Sequence, residues 1–259
     1  GPFTLALHLL GTEIFTKMMM EPEEIRKLLE FTKTITKQTA EYYIDAGADV
    51  IAVVDPMTSQ IDPGSFEEFV SPPAKEIFEY IRQQKTWSSF FVCGHAQQNI
   101  EAMCQCKPDN VSIDENIPLD YVRNVALKHQ ISFGGNLRLT VVLLLGSEED
   151  AQREAMACMD ASGNKGFILA PGCDLPMETP PKNIQAITTL VKDPYQQEVI
   201  RTLEQKQETE KQLNLDDYGN TEKVIVDIIT LDSESCTPCM YMVEAVKQVA
   251  PHFEGIVEW

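Results

Sequence analysis

No apolar run in the 259-residue chain approaches the ~20 residues that a membrane-spanning helix requires. The opening Gly1-Pro-Phe-Thr-Leu-Ala-Leu-His-Leu-Leu-Gly11 has neither a basic leader nor the small-residue cleavage site of a signal peptide. An embedded protein and a secreted one are therefore not expected. Basic residues are scarce, 21 against 40 acidic ones, for a formal net charge of −19. Such a surface repels phosphate backbones and anionic headgroups, which argues against nucleic acid and membrane surfaces as partners. An initiator methionine is also absent, so the chain reads as an internal fragment. There is no internal repeat and no low-complexity tract. Disulfide scaffolding is not expected either: seven cysteines, an odd number without a leader, fit a reducing compartment and reactive or metal-binding thiols. The expected location is cytoplasmic.

What is present is an ordinary globular composition, 43% hydrophobic and 24% charged, with a regular alternation of patterns. Pro22, Glu23 and Glu24 suit a first helical turn, where proline's missing donor costs nothing and carboxylates favour the dipole. Apolar residues then recur at helical spacing from Ile25 to Tyr43, until Gly47. Val50-Ile-Ala-Val-Val54 follows, apolar at every position, as expected of a parallel strand buried on both faces. The cycle repeats with helical patterns over 66–84, 97–105, 119–128 and 147–160. Strand patterns lie at 89–92, 110–113, 131–133 and 166–170. Five strand–helix units predict a parallel α/β fold.

The five strands end at Asp55, Cys93, Asp114, Asn136 and Cys173. In a β/α-barrel such positions converge on one mouth, and a doubly wound sheet also places its site at strand C-termini. Asp55 and Asp114 suit either the orientation of substrate and ligands or the capping of their own loops. Asn136, after Gly134 and Gly135, lines the mouth or shapes a turn. Cys104-Gln-Cys106 is a weak metal signal, and Cys158 falls on an amphipathic helix as a packing residue. His8, His129 and His252 belong to no constellation.

From Asp193 the character changes. Residues 193–222 predict a charge-alternating helix and then a linker. Residues 223–259 predict a strand, a Cys236-Thr-Pro-Cys239 loop opening a helix, and the start of another strand. A thiol at a helix N-terminus is favoured as thiolate, which makes Cys236 and Cys239 candidate redox residues. This part is similar to the first βαβ unit of thioredoxin-like proteins, and it stops before the rest of that fold.

Gly1-Pro-Phe-Thr-Leu-Ala6, Asp45-Ala-Gly-Ala-Asp49 running into Asp55-Pro56, Val92-Cys-Gly94, Ser112-Ile-Asp114 and Ala170-Pro-Gly-Cys173 before Thr179-Pro180 together resemble the uroporphyrinogen decarboxylase superfamily. Within it they are most similar to the methylcobamide:coenzyme M methyltransferase branch. The resemblance spans residues 1–192 and implies the C-terminal part of a (β/α)8 TIM barrel whose first strands lie upstream of Gly1. It also implies zinc, held in that branch by a His-x-Cys and by a cysteine in a Pro-Gly-Cys-like turn. Cys93 and Cys173 match the two cysteine positions. Phe91 stands at the histidine position and has no donor atom, which leaves His95 as the nearest substitute.

The function this implies is methyl transfer between a cobamide, delivered on a separate corrinoid protein, and a zinc-activated thiol. A tetrapyrrole decarboxylase of the uroporphyrinogen type is the alternative. The resemblance implies that it would need no metal, but basic and N–H donors for its substrate's carboxylates and an aspartate near the pyrrole nitrogens, a part that Asp55 could match. A third reading is a non-catalytic barrel whose thioredoxin-like module supplies electrons or docking; a combined reading has the Cys236–Cys239 dithiol keep Cys93 and Cys173 reduced or serve a corrinoid partner.

Overall fold

The computed structural model describes residues 1–163, 165–202, 224–226, 228, 237–253 and 257–258. Five strands, β1 (Val50–Val54), β2 (Trp87–Val92), β3 (Asn110–Ile113), β4 (Ser132–Leu137) and β5 (Phe167–Pro171), form one parallel sheet in the order β1-β2-β3-β4-β5. Each strand hands the chain to a helix before the next. These helices include Ser71–Gln83, Ile100–Gln105, Leu119–Lys128 and Glu148–Ser162, with Pro181–Lys192 after β5. The strand order never reverses. A doubly wound sheet has a reversal at its switch point, whereas sequential order is that of a barrel wall.

The packing follows from the sequence period. In the helix Ser71–Gln83, Ala74, Ile77, Phe78 and Ile81 recur at helical spacing and are all buried. Phe78 meets Phe90 of β2 with ring centroids 5.2 Å apart and tilted by 56°, the offset geometry that aromatic quadrupoles favour. The helix Glu148–Ser162 begins with a capping box, in which Ser147 and Asp150 satisfy each other's backbone N–H groups. Gly135 permits close approach of β3 and β4. A Cβ there would sit 2.9 Å from the carbonyl oxygen of Ile113, and its φ of +135° is itself costly for other residues.

One sequence expectation is corrected by the sheet. The strand β1 is not buried on both faces; its residues alternate, with Ile51 and Val53 buried but Val50 and Val54 exposed. The cause is position. As an edge strand it packs one face on helices, while the other lines the concave side of a sheet that does not close on itself. Trp87 and Ile168 are likewise exposed.

Beyond residue 193 the structure describes a helix Pro194–Thr202 and a short parallel pair, β6 (Val224–Ile225) with β7 (Val257–Glu258). The helix Thr237–Val249 lies between them in the chain, the order of a βαβ unit. The Tyr241 hydroxyl lies 2.9 Å from Nδ1 of His8. The predicted linker, Cys236 and the Cys239 side chain fall outside the described residues. Among the described residues no helix is long and apolar enough to cross a membrane.

Candidate active site at the strand ends

Cys93 directly follows β2, and Cys173 lies two residues beyond β5. Three strand steps separate them, about 14 Å in a flat sheet at ~4.8 Å per step. Yet their Sγ atoms are 2.9 Å apart, although the residues are 80 positions apart in sequence. The curl of the sheet and the inward turns after β2 and β5 bring the two thiols over the ends of β3 and β4. Gly172 makes this possible on one side. A Cβ there would fall 2.5 Å from the backbone nitrogen of Glu115, so only glycine lets this turn lie against the end of β3.

The partners of the pair are acidic. Asp114, buried at the end of β3, accepts from the backbone N–H of Gly94 at 2.8 Å and of Asn116 at 2.9 Å. The first bond fixes the turn that carries Cys93. Hydrogen bonding to Cys173 is the main cause that pushes the Cys93 thiol up, and burial adds to it. Cys173 is held below its usual value, chiefly by the S–H of Cys93 and also by the backbone N–H of Asp174, against the opposing effect of burial. Asp114 and Asp174 add negative potential to both.

The remaining candidates separate into roles. Asp55 is fully buried and caps the helix Pro2–Leu10 from 52 residues away, accepting from the backbone N–H of Phe3 at 3.1 Å and of Thr4 at 2.6 Å. Asn136, inside β4, donates through Nδ2 to the carbonyls of Ile117 at 2.7 Å and Asp114 at 3.2 Å. It thereby clamps the turn after β3. Both side chains are spent on the frame of the mouth. His95 is exposed and lines a polar cavity of about 500 Å³ with Gln97, Gln98, Asn116 and Tyr121. Cys104, Cys106 and Cys158 are buried, and burial pushes their thiols up to about 12, 11 and 11. They are packing residues. His129 lies 2.6 Å from Oε1 of Glu101, tying two helices together.

Sequence reasoning missed Glu115. It sits against the Gly172 turn, accepts from the backbone N–H of Leu139 and is raised in pKa by burial above all. Its position directly after the strand-end Asp114 was the available signal.

A catalytic zinc takes three protein ligands at ~2.0–2.3 Å and leaves a fourth position open. Two sulfurs converge here. Among the described residues no group of three histidine, cysteine or carboxylate side chains could hold a metal ion. The donor set on these residues therefore does not fit a resident zinc.

A five-stranded parallel sheet in barrel order, with its polar and thiol side chains at the strand C-termini, is the arrangement of part of a β/α-barrel. The chain belongs to the uroporphyrinogen decarboxylase (URO-D) family, whose model matches residues 1–194. It is 26% identical over 199 residues to the methylcobamide:CoM methyltransferase MtbA of Methanosarcina acetivorans, covering 74% of this chain and 56% of that protein. It is 27% identical over 193 residues to a uroporphyrinogen decarboxylase of Trichodesmium erythraeum, covering 71% of this chain and 54% of that protein. A solved methyltransferase from Methanosarcina mazei shares the fold at a TM-score of 0.69 and 23% identity, over 75% of this chain and 57% of that one. The chain thus spans just over half the length of these relatives. Proteins similar to it are methyltransferases or decarboxylases, and the identities do not separate the two.

Proposed function

We propose that the chain carries the reactive centre of a thiol methyltransferase whose methyl donor is a methylated corrinoid on a partner protein. The observation that supports this reading is the convergence of Cys93 and Cys173 to 2.9 Å at the mouth. A methyl group on cobalt is electrophilic at carbon, and a thiolate is its matched nucleophile. In the transfer the sulfur lone pair forms the S–C bond, while the pair of the C–Co bond stays on cobalt. That sulfur belongs to the acceptor thiol, deprotonated before attack, and the turns after β2 and β5, framed by Asp114, Asn136 and Gly172, place Cys93 and Cys173 beside it. Zinc activation would require a third donor from outside the described residues.

The same surroundings disfavour decarboxylation of a polyanionic tetrapyrrole. Such a substrate calls for cations around its carboxylates, whereas Asp114 and Asp174 surround the sulfur pair. Asp55 is occupied by a helix N-terminus.

The test is methyl transfer from methylcobalamin to CoM, with the reduced protein and with or without added zinc. A rate above that of the thiol alone, lost in Cys93→Ser and Cys173→Ser, is expected. A rate equal to the protein-free control, together with decarboxylation of a tetrapyrrole, would reverse the reading.

A further inference from the structure

We propose that Cys93 and Cys173 are also a two-electron redox couple, closing to an intramolecular disulfide at the expense of a small aliphatic disulfide. Two sulfurs of a tetrahedral zinc site stand about 3.8 Å apart for Zn–S bonds of ~2.3 Å, and a disulfide is ~2.05 Å. The observed 2.9 Å lies between these, so an adjustment of under about 1 Å leads to either. The number of donors then decides, since two thiols complete a disulfide but not a metal site. The local backbone can make the adjustment. Cys93 is followed by Gly94 at a φ of +78°, and Cys173 is preceded by Gly172.

Access separates this pair from the other described cysteines. Cys93 and Cys173 are partly exposed, while Cys104, Cys106 and Cys158 are buried. A small oxidant therefore meets the mouth pair first. One of the two thiols, its proton released to solvent, attacks one sulfur of the disulfide R–S–S–R, releasing RS⁻ and forming a mixed disulfide. The other, giving its proton to the released thiolate, then attacks the bonded Sγ, and the second RS⁻ leaves and takes up a proton from solvent. The sum is R–S–S–R plus two protein thiols going to two RSH plus one protein disulfide. The new bond would tie the turns after β2 and β5 across the ends of β3 and β4 and remove both free thiols from the mouth. This inference rests on the geometry of the pair and not on methyl transfer.

The test uses the full chain, reduced and washed with chelator, then incubated with oxidised glutathione, quenched in acid, alkylated and mapped by mass spectrometry. The expected result is a peptide pair linking Cys93 to Cys173, with two fewer titratable thiols per chain, reversed by dithiothreitol. The link persists in a Cys236→Ser, Cys239→Ser variant. Recovery of both mouth cysteines alkylated, or their linkage to Cys236 or Cys239, would overturn the proposal. The methyl-transfer assay on reduced protein reads separately, so either idea can fail alone. Because the mapping uses the unmodified chain, it does not depend on a cysteine variant folding.

Discussion

Asp114 accepts a hydrogen bond from the backbone N–H of Gly94 at 2.8 Å, so the end of β3 sets the turn that carries Cys93. The carboxylate is buried, and removing it leaves two backbone N–H groups, those of Gly94 and Asn116, without their acceptor. Each such loss costs on the order of 1–3 kcal/mol. Asp114→Ala is expected to lower unfolding free energy by about 2–4 kcal/mol on that basis and to slow closure of the Cys93–Cys173 disulfide. Asp114→Asn, which keeps one acceptor oxygen, should recover part of both. An unchanged closure rate in Asp114→Ala would show that the turn holds itself.

Asp55 makes the opposite case. Both carboxylate oxygens are given to the N-terminus of the helix Pro2–Leu10, where negative charge also favours the dipole. Asp55→Ala is expected to destabilise by about 1–3 kcal/mol through the lost cap and buried donors. Urea denaturation measures this. Mass-spectrometric mapping of the thiol pair should be unaffected in the folded fraction. Loss of thiol pairing at full stability would instead return Asp55 to the chemistry of the mouth.

The strands were legible as short stretches between helical patterns, β1 as an unbroken apolar run although only one of its faces is buried, and the helices because their apolar residues repeat at 3.6. The short helices Pro2–Leu10 and Glu13–Met20 were not assigned, since their windows hold too few turns for a period to show. The open face of β1 was invisible because it depends on which strand is its neighbour. At the site, residue types were legible but their commitments were not. Asp55 and Asn136 spend their polar atoms on partners 52 and 19–22 residues away, a matter of tertiary placement. The meeting of Cys93 with Cys173 was available only through family resemblance, because no local pattern links positions 80 residues apart.

A pH dependence follows from the cluster of Lys33, Glu30 and Glu76. Burial pulls the Lys33 ammonium down, but hydrogen bonds to Glu30 at 2.5 Å and Glu76 at 2.7 Å outweigh it, so its pKa is raised from 10.5. Glu76 is lowered from 4.5, chiefly by Lys33. A lowered carboxylate contributes stability above its unfolded value, lost as pH falls through the folded one. A raised ammonium contributes below its unfolded value, lost as pH rises through the folded one. The contribution is thus expected between about pH 4.5 and 10.5 and should fade outside that window. Lys33→Met should flatten the acid limb in melts from pH 3 to 6. The effect is small, since half of the Glu76 side chain is exposed to solvent.

Gly172→Ala tests whether the thiol pair depends on the closeness of the β5 turn to β3. The added methyl would lie 2.5 Å from the backbone nitrogen of Glu115, 2.9 Å from its Cβ and 3.0 Å from its Cα. None of these is the far end of a flexible side chain, so the turn itself must move. Overpacking of this kind costs about 1–3 kcal/mol. The displacement also alters the approach of Cys173 to Cys93, whose sulfurs stand 2.9 Å apart. The expected outcome is a chain that melts a few degrees lower and in which oxidised glutathione forms mixed disulfides at Cys173 without the internal link. If the internal link forms at the native rate, the two turns are adaptable and the glycine matters only for packing. Gly94→Ala probes the other turn: it strains a φ of +78° beside Cys93 but meets only the Ser59 side chain, with Oγ at 3.3 Å, so it is expected to cost stability and to slow closure of the link from the Cys93 side.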